Sequence, residues 1–278
     1  MAAALPNAAH SAGGRHPGTP LLALAAGGVF GVAQTLVAQR CGLLRFDAAH
    51  SGWSSIELGT LVWLSAASVV LGTVTARRLG RARRRPDMFC LGAAGLGSLL
   101  AVPLAASSAA WAAIYGADVT TGRVVLHVLL GAGLGLLAGA ATQRYGPAAV
   151  GLVVGIAFTW GTAVLAGLLR PDRPPILGHP DLGIGAAGAG QRIGALVVAL
   201  LYGIAVGTVW TTREVRVRVI AAAVGPALVA AAYLLVLPFG GHTWPWSPIP
   251  TALLAVPVTA VGAVLAGWYT DRLHRRHD

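Results

Sequence analysis

The chain has no lysine and few acidic residues, so its charge comes mainly from arginine. Twenty arginines stand against nine acids, which gives a formal net charge of +11. Charged residues make up only 10% of the 278 residues and hydrophobic ones 56%, against about 25% and about 45–50% in soluble domains. This shortage of charge excludes a water-soluble globular domain. The two cysteines, Cys41 and Cys90, form no spacing motif, which argues against a disulfide framework or a cysteine metal site.

Enzyme signatures are also missing from the sequence. We find no His-Glu-x-x-His motif, no Gly-x-Ser-x-Gly motif and no nucleotide-binding loop. All nine acids fall in predicted loops, tails or helix ends, whereas carboxylates inside the membrane usually carry proton or cation coupling. We therefore predict no catalytic residues and no cofactor, and the pattern argues against a proton-driven antiporter.

Long apolar segments are what the sequence has in abundance. A transmembrane helix needs roughly 20 such residues, and eight segments qualify: 21–39, 57–76, 88–110, 124–142, 148–169, 193–212, 219–239 and 251–270. They predict an all-α, polytopic integral membrane helix bundle over 21–270, between a flexible cytoplasmic tail, 1–20, and a basic cytoplasmic tail, 271–278. Alternatively, the first segment is a cleaved secretory signal, although it has no clean small-x-small cleavage site.

The arginines predict the orientation of the bundle. With both termini in the cytoplasm, the inner segments hold 14 arginines: Arg15, six in 77–85, Arg144, three in 213–218 and three in 272–276; the outer ones hold six. The positive-inside rule therefore places both termini in the cytoplasm. The all-arginine, Ala- and Gly-rich composition favours a bacterial source, hence the inner membrane. The positive charge thus records topology, and we expect no nucleic-acid partner.

A basic cluster follows the second predicted helix and consists of Arg77, Arg78, Arg81, Arg83, Arg84 and Arg85. Basic residues at this position are attracted to anionic lipids of the inner leaflet. We expect such lipids, together with the bilayer itself, as partners. A membrane or cytoplasmic protein is a further candidate partner.

Glycines recur at helical spacing and predict close helix packing, because small residues let backbones approach within the membrane. The clearest stripes are Gly131, Gly135 and Gly139, and Gly203 and Gly207. Residues 137–144 also match residues 265–272 at an offset of 128, and 100–103 match 235–238 at an offset of 135. The matched elements lie four helices apart, so a duplication would give parallel 4+4 halves. Convergence by composition is the alternative.

One helix ending has a second resemblance. Gly267, followed by Asp271-Arg272 and the pair Arg275-Arg276, resembles the cytoplasmic loop motif of the major facilitator transporters. Residues 72–81 resemble it more loosely and lack the acid. Members of that family typically have twelve helices. The resemblance implies a transporter.

Uncharged polar residues within the apolar segments are the candidate solute-lining residues. These are Gln34, Thr159, Trp160, Thr162, Tyr202 and Tyr233. The run 158–162 is the best candidate, because a Trp flanked by hydroxyls and glycine suits an apolar or aromatic solute. The alternative role is interhelical packing and hydrogen bonding. Pro103, Pro226 and Pro257 predict kinks or local breaks.

Four histidines fall on the predicted outer side: His50, His127, His179 and His242. Imidazole is a common metal ligand, but no two of these residues have ligand spacing, and we predict no metal site. Three function hypotheses follow: an inner-membrane transporter or permease for a small neutral or hydrophobic solute, an accessory or structural subunit of a membrane complex, and a lipid-modifying or haem- or metal-linked enzyme that uses these histidines.

Overall fold

The computed structural model describes residues 18–46, 54–80, 87–117, 119–169, 175–178, 189–210, 214–239 and 248–274. Its α-helices are α1 (Gly18–Arg40), α2 (Ser54–Leu79), α3 (Met88–Ser98), α4 (Val102–Ile114), α5 (Thr121–Arg144), α6 (Gly146–Leu169), α7 (Ala189–Val209), α8 (Val215–Val236) and α9 (Ile249–His274). Because α3 and α4 form one continuous span, eight helices are long and apolar enough to cross a membrane. The prediction of an all-α polytopic bundle is confirmed. The first helix begins at Gly18, inside the expected tail.

Three prolines lie in the interior of the spans, and they have different effects. Pro103 lacks the N–H that would bond to the carbonyl of Leu99, and a 3-10 turn at Leu99–Ala101 interrupts the helix just before it. Pro226 and Pro257 instead lie inside α8 and α9, which continue through them. The predicted break is therefore present at Pro103.

Helix α2 is the centre of the bundle. Of its most apolar window 83% is buried, against 33–50% for the other spans, and it packs on α1, α3, α5, α6 and α8. The hydroxyls of Thr60, Ser68 and Thr73 donate to carbonyls one turn earlier in α2. These bonds let polar side chains lie in a buried position without unpaired donors.

Two pairs of helices pack through the same register of small residues. In α1 and α3, Gly27 lies against the carbonyl of Ala94 and Gly31 against Ser98. In α6 and α8, Gly151 lies against the carbonyl of Ala221 and Gly155 against Gly225. The two contacts in each pair are four residues apart on both helices. The contact residues of α6 follow those of α1 by 124 positions, and those of α8 follow those of α3 by 127 positions.

A second set of helices has contacts at the same four-residue spacing, although the glycines lie on α5 in one pair and on α7, the counterpart of α2, in the other. Gly131 and Gly135 of α5 lie against Val62 and Ala66 of α2, while Gly203 and Gly207 of α7 lie against Thr259 and Ala263 of α9. Here the offsets are 141 positions from α2 to α7 and 128 from α5 to α9. The α5-to-α9 offset equals that of the sequence match. For α3 and α8 the contacts give 127 rather than the 135 of the sequence match.

The two groups of helices differ at one interface. Helix α1 packs extensively on α2, where Gly72 lies against the backbone of Gly27. Within the described residues, α6 and α7 make no comparable helix-to-helix contact. Side chains rather than backbones meet between α6 and α7, as the rings of Phe158 and Tyr202 do beside the cavity described next.

Candidate solute cavity

A cavity of about 40 Å³ lies where α6, α7, α8 and α9 meet. Its wall consists of Gly155, Phe158, Thr159 and Thr162 of α6, Gly178 of the loop that follows α6, Ala195, Val198, Ala199 and Tyr202 of α7, Pro226 and Val229 of α8, and Ala252, Ala255 and Thr259 of α9. Since about 10–15 Å³ suffices for one water molecule, the cavity holds a few waters or a small organic group. Its apolar wall with a few hydroxyls is typical of small-molecule sites.

The hydroxyls of the cavity mainly offer hydrogen-bond acceptors. Thr162 donates its proton to the carbonyl of Thr159 at 3.0 Å, and Thr259 donates to Val256 at 2.8 Å. A hydroxyl that has donated its proton keeps acceptor lone pairs only. The cavity therefore suits a solute that carries an O–H or N–H donor on an otherwise apolar body.

Tyr202 is the side chain that links α7 to α6 and α8. Its ring lies 4.5 Å, centroid to centroid, from that of Phe158, and its hydroxyl points to the carbonyl of Gly151 at 3.5 Å. A Cβ added at Gly155 or Gly225 would come within 3.3 and 3.4 Å of that hydroxyl. The two glycines thus provide the room that the phenol occupies.

A short segment of the loop between α6 and α7 covers one end of the cavity. Leu177 is buried, and its carbonyl accepts a hydrogen bond from Tyr233 at 3.4 Å. The next residue, Gly178, has a φ of +68°, and a Cβ there would lie 3.2 Å from Val229. Glycine adopts this backbone conformation without strain, so the turn can pack directly on α8.

Three of the six predicted solute-lining residues share this wall: Thr159, Thr162 and Tyr202. Trp160 points elsewhere, because its indole N–H donates to Gln34 at 2.9 Å and its ring lies 6.1 Å from that of Trp63. Gln34 in turn donates to Ser68. These contacts make Trp160 and Gln34 a link between α6, α1 and α2 rather than part of the cavity wall.

The sixth candidate, Tyr233, packs against Gly59 of α2, where a Cβ would lie 2.6 Å from the phenol ring. Its hydroxyl is engaged by the backbone of Leu177. The residue therefore joins α8 to α2 and holds the loop segment over the cavity. It lies behind the wall rather than in it.

Of the histidines considered as metal ligands, His127 is fully buried in α5, with its Nδ1 2.6 Å from the carbonyl of Arg123. His50, His179 and His242 lie outside the described residues. Within the part of the chain that the structure describes, no group of three or more potential ligands forms a metal site.

The structure describes two of the six residues of the basic cluster. Arg77 donates to the carbonyl of Thr142 at 3.3 Å and Arg78 is exposed, while Arg81, Arg83, Arg84 and Arg85 lie outside the described residues. The predicted packing glycines are all among the described residues. All five lie at helix contacts: Gly131, Gly135, Gly139, Gly203 and Gly207.

An ion pair made by a buried arginine was not apparent from the sequence. Arg218, at the start of α8, is 2% exposed, and its Nη2 lies 3.5 Å from Asp271 of α9. Its Nε and Nη1 are buried without a hydrogen-bond partner among the described residues, and its guanidinium packs on Gly267. In the sequence Arg218 counts only toward the charge of the inner segment 213–218, and the missing side chain at Gly267 leaves the space that the guanidinium fills.

Comparison with known proteins gives no relative. No protein-family model, no curated protein and no solved structure matches the chain.

Proposed function

We propose that this multi-pass membrane protein is a transporter or permease for a small neutral or hydrophobic solute, which binds in the cavity among α6, α7, α8 and α9. The observation that carries the proposal is the cavity itself, an apolar space with hydroxyls from three transmembrane helices. The described residues lie almost wholly in spanning helices. This favours a function within the membrane over one carried by a soluble domain.

Pro226 supports a site that changes shape. It lies in the cavity wall within α8, and it cannot donate to the carbonyl of Ala222. A helix that lacks one backbone bond bends more readily at that point. Interrupted helices line the solute sites of many transporters; α8 is continuous, but it borders the cavity at its proline, where a backbone bond is missing.

The parallel halves offer a physical basis for movement. The register of small-residue contacts in α1, α2, α3 and α5 recurs in α6, α7, α8 and α9. We propose that this reflects a duplication into two parallel four-span units. In the first unit α1 and α2 are packed together, whereas in the second α6 and α7 stand apart beside the cavity. On this proposal, the contrast corresponds to two packing states of one architecture.

The orientation proposal is an inner membrane of a bacterium with both termini in the cytoplasm. Exposed arginines lie at the end of the bundle where α1 begins and α9 ends: Arg78, Arg144, Arg216 and Arg272. They are placed to contact anionic headgroups of the inner leaflet. A fluorescent protein fused to the C-terminus should fluoresce in a bacterial host, and a periplasmic phosphatase fused there should be inactive. The opposite pair of results would reverse the orientation.

The transport proposal is tested in a strain that lacks the gene. Accumulation of a panel of labelled polyols, amides and alcohols is compared between cells that carry the wild type and cells that carry Thr159→Val or Thr208→Val. Thr159 lies in the cavity wall, whereas Thr208 is an exposed threonine of α7 that donates to Ala205. Altered accumulation that depends on Thr159 but not on Thr208 is expected. No difference from the empty strain for any solute would overturn the proposal.

A further inference from the structure

We infer that the cavity opens sideways, between α6 and α7, to the interior of the membrane, and that it takes a neutral amphiphile dissolved in the bilayer. The gap at Phe158, Thr162 and Val198 is here named the lateral opening. Only the solute class rests on the proposed transport function. The lateral opening itself rests on helix packing and can be tested without any transport measurement.

Three sides of the cavity are closed by backbone packing. Helices α6 and α8 meet at Gly155 and Gly225, and α7 meets α9 at Gly203 and Gly207. Helices α8 and α9 are also in extensive contact. At such glycine contacts the helix backbones touch, so no molecule passes between them without separating whole helices.

The fourth side, between α6 and α7, is closed by side chains. Phe158 and Tyr202 meet across the gap at 4.5 Å between ring centroids, and Phe158, Thr162 and Val198 are each half-buried. A Cβ added at Gly161 of α6 or Gly194 of α7 would meet nothing within 4 Å. Rotation of one aromatic side chain is a far smaller change than separating two helices, which makes Phe158 the gating residue.

The chemistry of the wall selects the solute. An aliphatic chain gains little by leaving lipid for another apolar surface, so apolar contact alone would not draw a molecule from the bilayer. A hydroxyl or amide group in hydrocarbon, however, lacks a hydrogen-bond partner, and it gains one from Thr159, Tyr202 or Thr259. A molecule with a slim chain and one polar neutral group therefore gains the most binding free energy in the cavity.

The test uses a neutral amphiphile that is dissolved in the bilayer as the probe. Purified full-length protein is placed in bilayers that contain a long-chain primary alcohol with a diazirine near its hydroxyl end, illuminated, and mapped by peptide mass spectrometry. We expect adducts at Ala199 and Val229, which lie behind Phe158 in the cavity wall. Val69 of α2 is fully buried and serves as the reference residue.

Variants of the gating residue make the test sharper. Phe158→Leu should raise labelling of Ala199 and Val229 several-fold, and Phe158→Trp should lower it. Labelling of the lipid-facing Leu201 should stay constant in both, and gel filtration should give the wild-type profile. Added octanol should compete for the cavity adducts, whereas glycerol should not.

The result that overturns the lateral opening is labelling of Ala199 and Val229 no stronger than that of Val69 in the wild type and both variants. Competition by glycerol and octanol alike would overturn the choice of an amphiphile. Cavity labelling without transport of any solute would reject the proposed function and leave the lateral opening standing. Transport without cavity labelling would reject the lateral opening and leave the proposed transport function standing.

Discussion

Trp160 of α6 donates its indole N–H to the amide oxygen of Gln34 of α1 at 2.9 Å. Gln34 donates in turn to Ser68 of α2 at 3.1 Å, and Ser68 donates to the carbonyl of Leu64. This chain of hydrogen bonds crosses from the second group of four spans to the first. It therefore fixes how the helices around the cavity are anchored to the centre of the bundle.

The first prediction concerns that hydrogen bond. In a double-mutant cycle of Gln34→Leu and Trp160→Phe, we expect a coupling of about 0.6 kcal/mol, the average for hydrogen bonds between transmembrane helices. Unfolding in detergent measures it. Gln39→Leu is the control, because Gln39 bonds to Ser108 of α4, and its effect should add to that of Trp160→Phe. Full additivity of the Gln34 pair would show that the bond contributes nothing.

The second prediction uses two glycines of one helix. Gly131 of α5 lies against Val62 and Ser65, whereas a Cβ at Gly133 would meet nothing within 4 Å. Gly131→Val should lower stability by about 1–3 kcal/mol, the usual cost of overpacking, while Gly133→Val should change it by less than about 0.5 kcal/mol. Thermal unfolding of the purified variants gives both values. Equal tolerance of the two substitutions would contradict the α2–α5 packing.

The third prediction tests the repeated register. Gly27 and Gly151 occupy matching positions against the carbonyls of Ala94 and Ala221. If the two units are equivalent, Gly27→Val and Gly151→Val should reduce the yield of folded protein to a similar degree. Gly92→Val, at a position with open space around it, is the control. A tolerated Gly151→Val beside a disruptive Gly27→Val would count against equivalence.

The fourth prediction concerns the ion pair of Arg218 and Asp271. Asp271→Asn removes the counter-charge of a buried guanidinium and should cost about 1–3 kcal/mol, reduced from the fully buried case because Asp271 is partly exposed. Adding Arg218→Met should restore stability, because the buried charge is then gone. The order of unfolding temperatures checks this. A double variant less stable than Asp271→Asn alone would show that the arginine is stabilising by itself.

Much of the architecture could be predicted from the sequence, because a spanning helix must be apolar for its whole length. All eight predicted segments correspond to described spans. The break before Pro103 was predictable from the missing N–H. The ends of the helices were less predictable, since α9 continues past the apolar segment through Asp271 and Arg272 to His274.

The neighbours of each residue could not be predicted in the same way. In a soluble helix the apolar face marks the core, but here both the lipid-facing and the packed faces are apolar. Thr159 and Trp160 are adjacent in sequence, yet one lies in the cavity wall and the other faces α1. The burial of Arg218 of α8 depends on the empty space at Gly267 of α9. Gly267 lies four positions before Asp271, the partner of Arg218 in the ion pair.

The most direct measurement is block of transport by a reagent attached inside the cavity. Ala199→Cys is made in a background with Cys41→Ser and Cys90→Ala, and the transported solute is followed in proteoliposomes before and after complete modification by methyl methanethiosulfonate. Thr208→Cys, on the exposed face of the same helix, is the control. A cavity that carries the solute predicts loss of transport for Ala199→Cys alone. Unchanged transport after full modification at position 199 would contradict it.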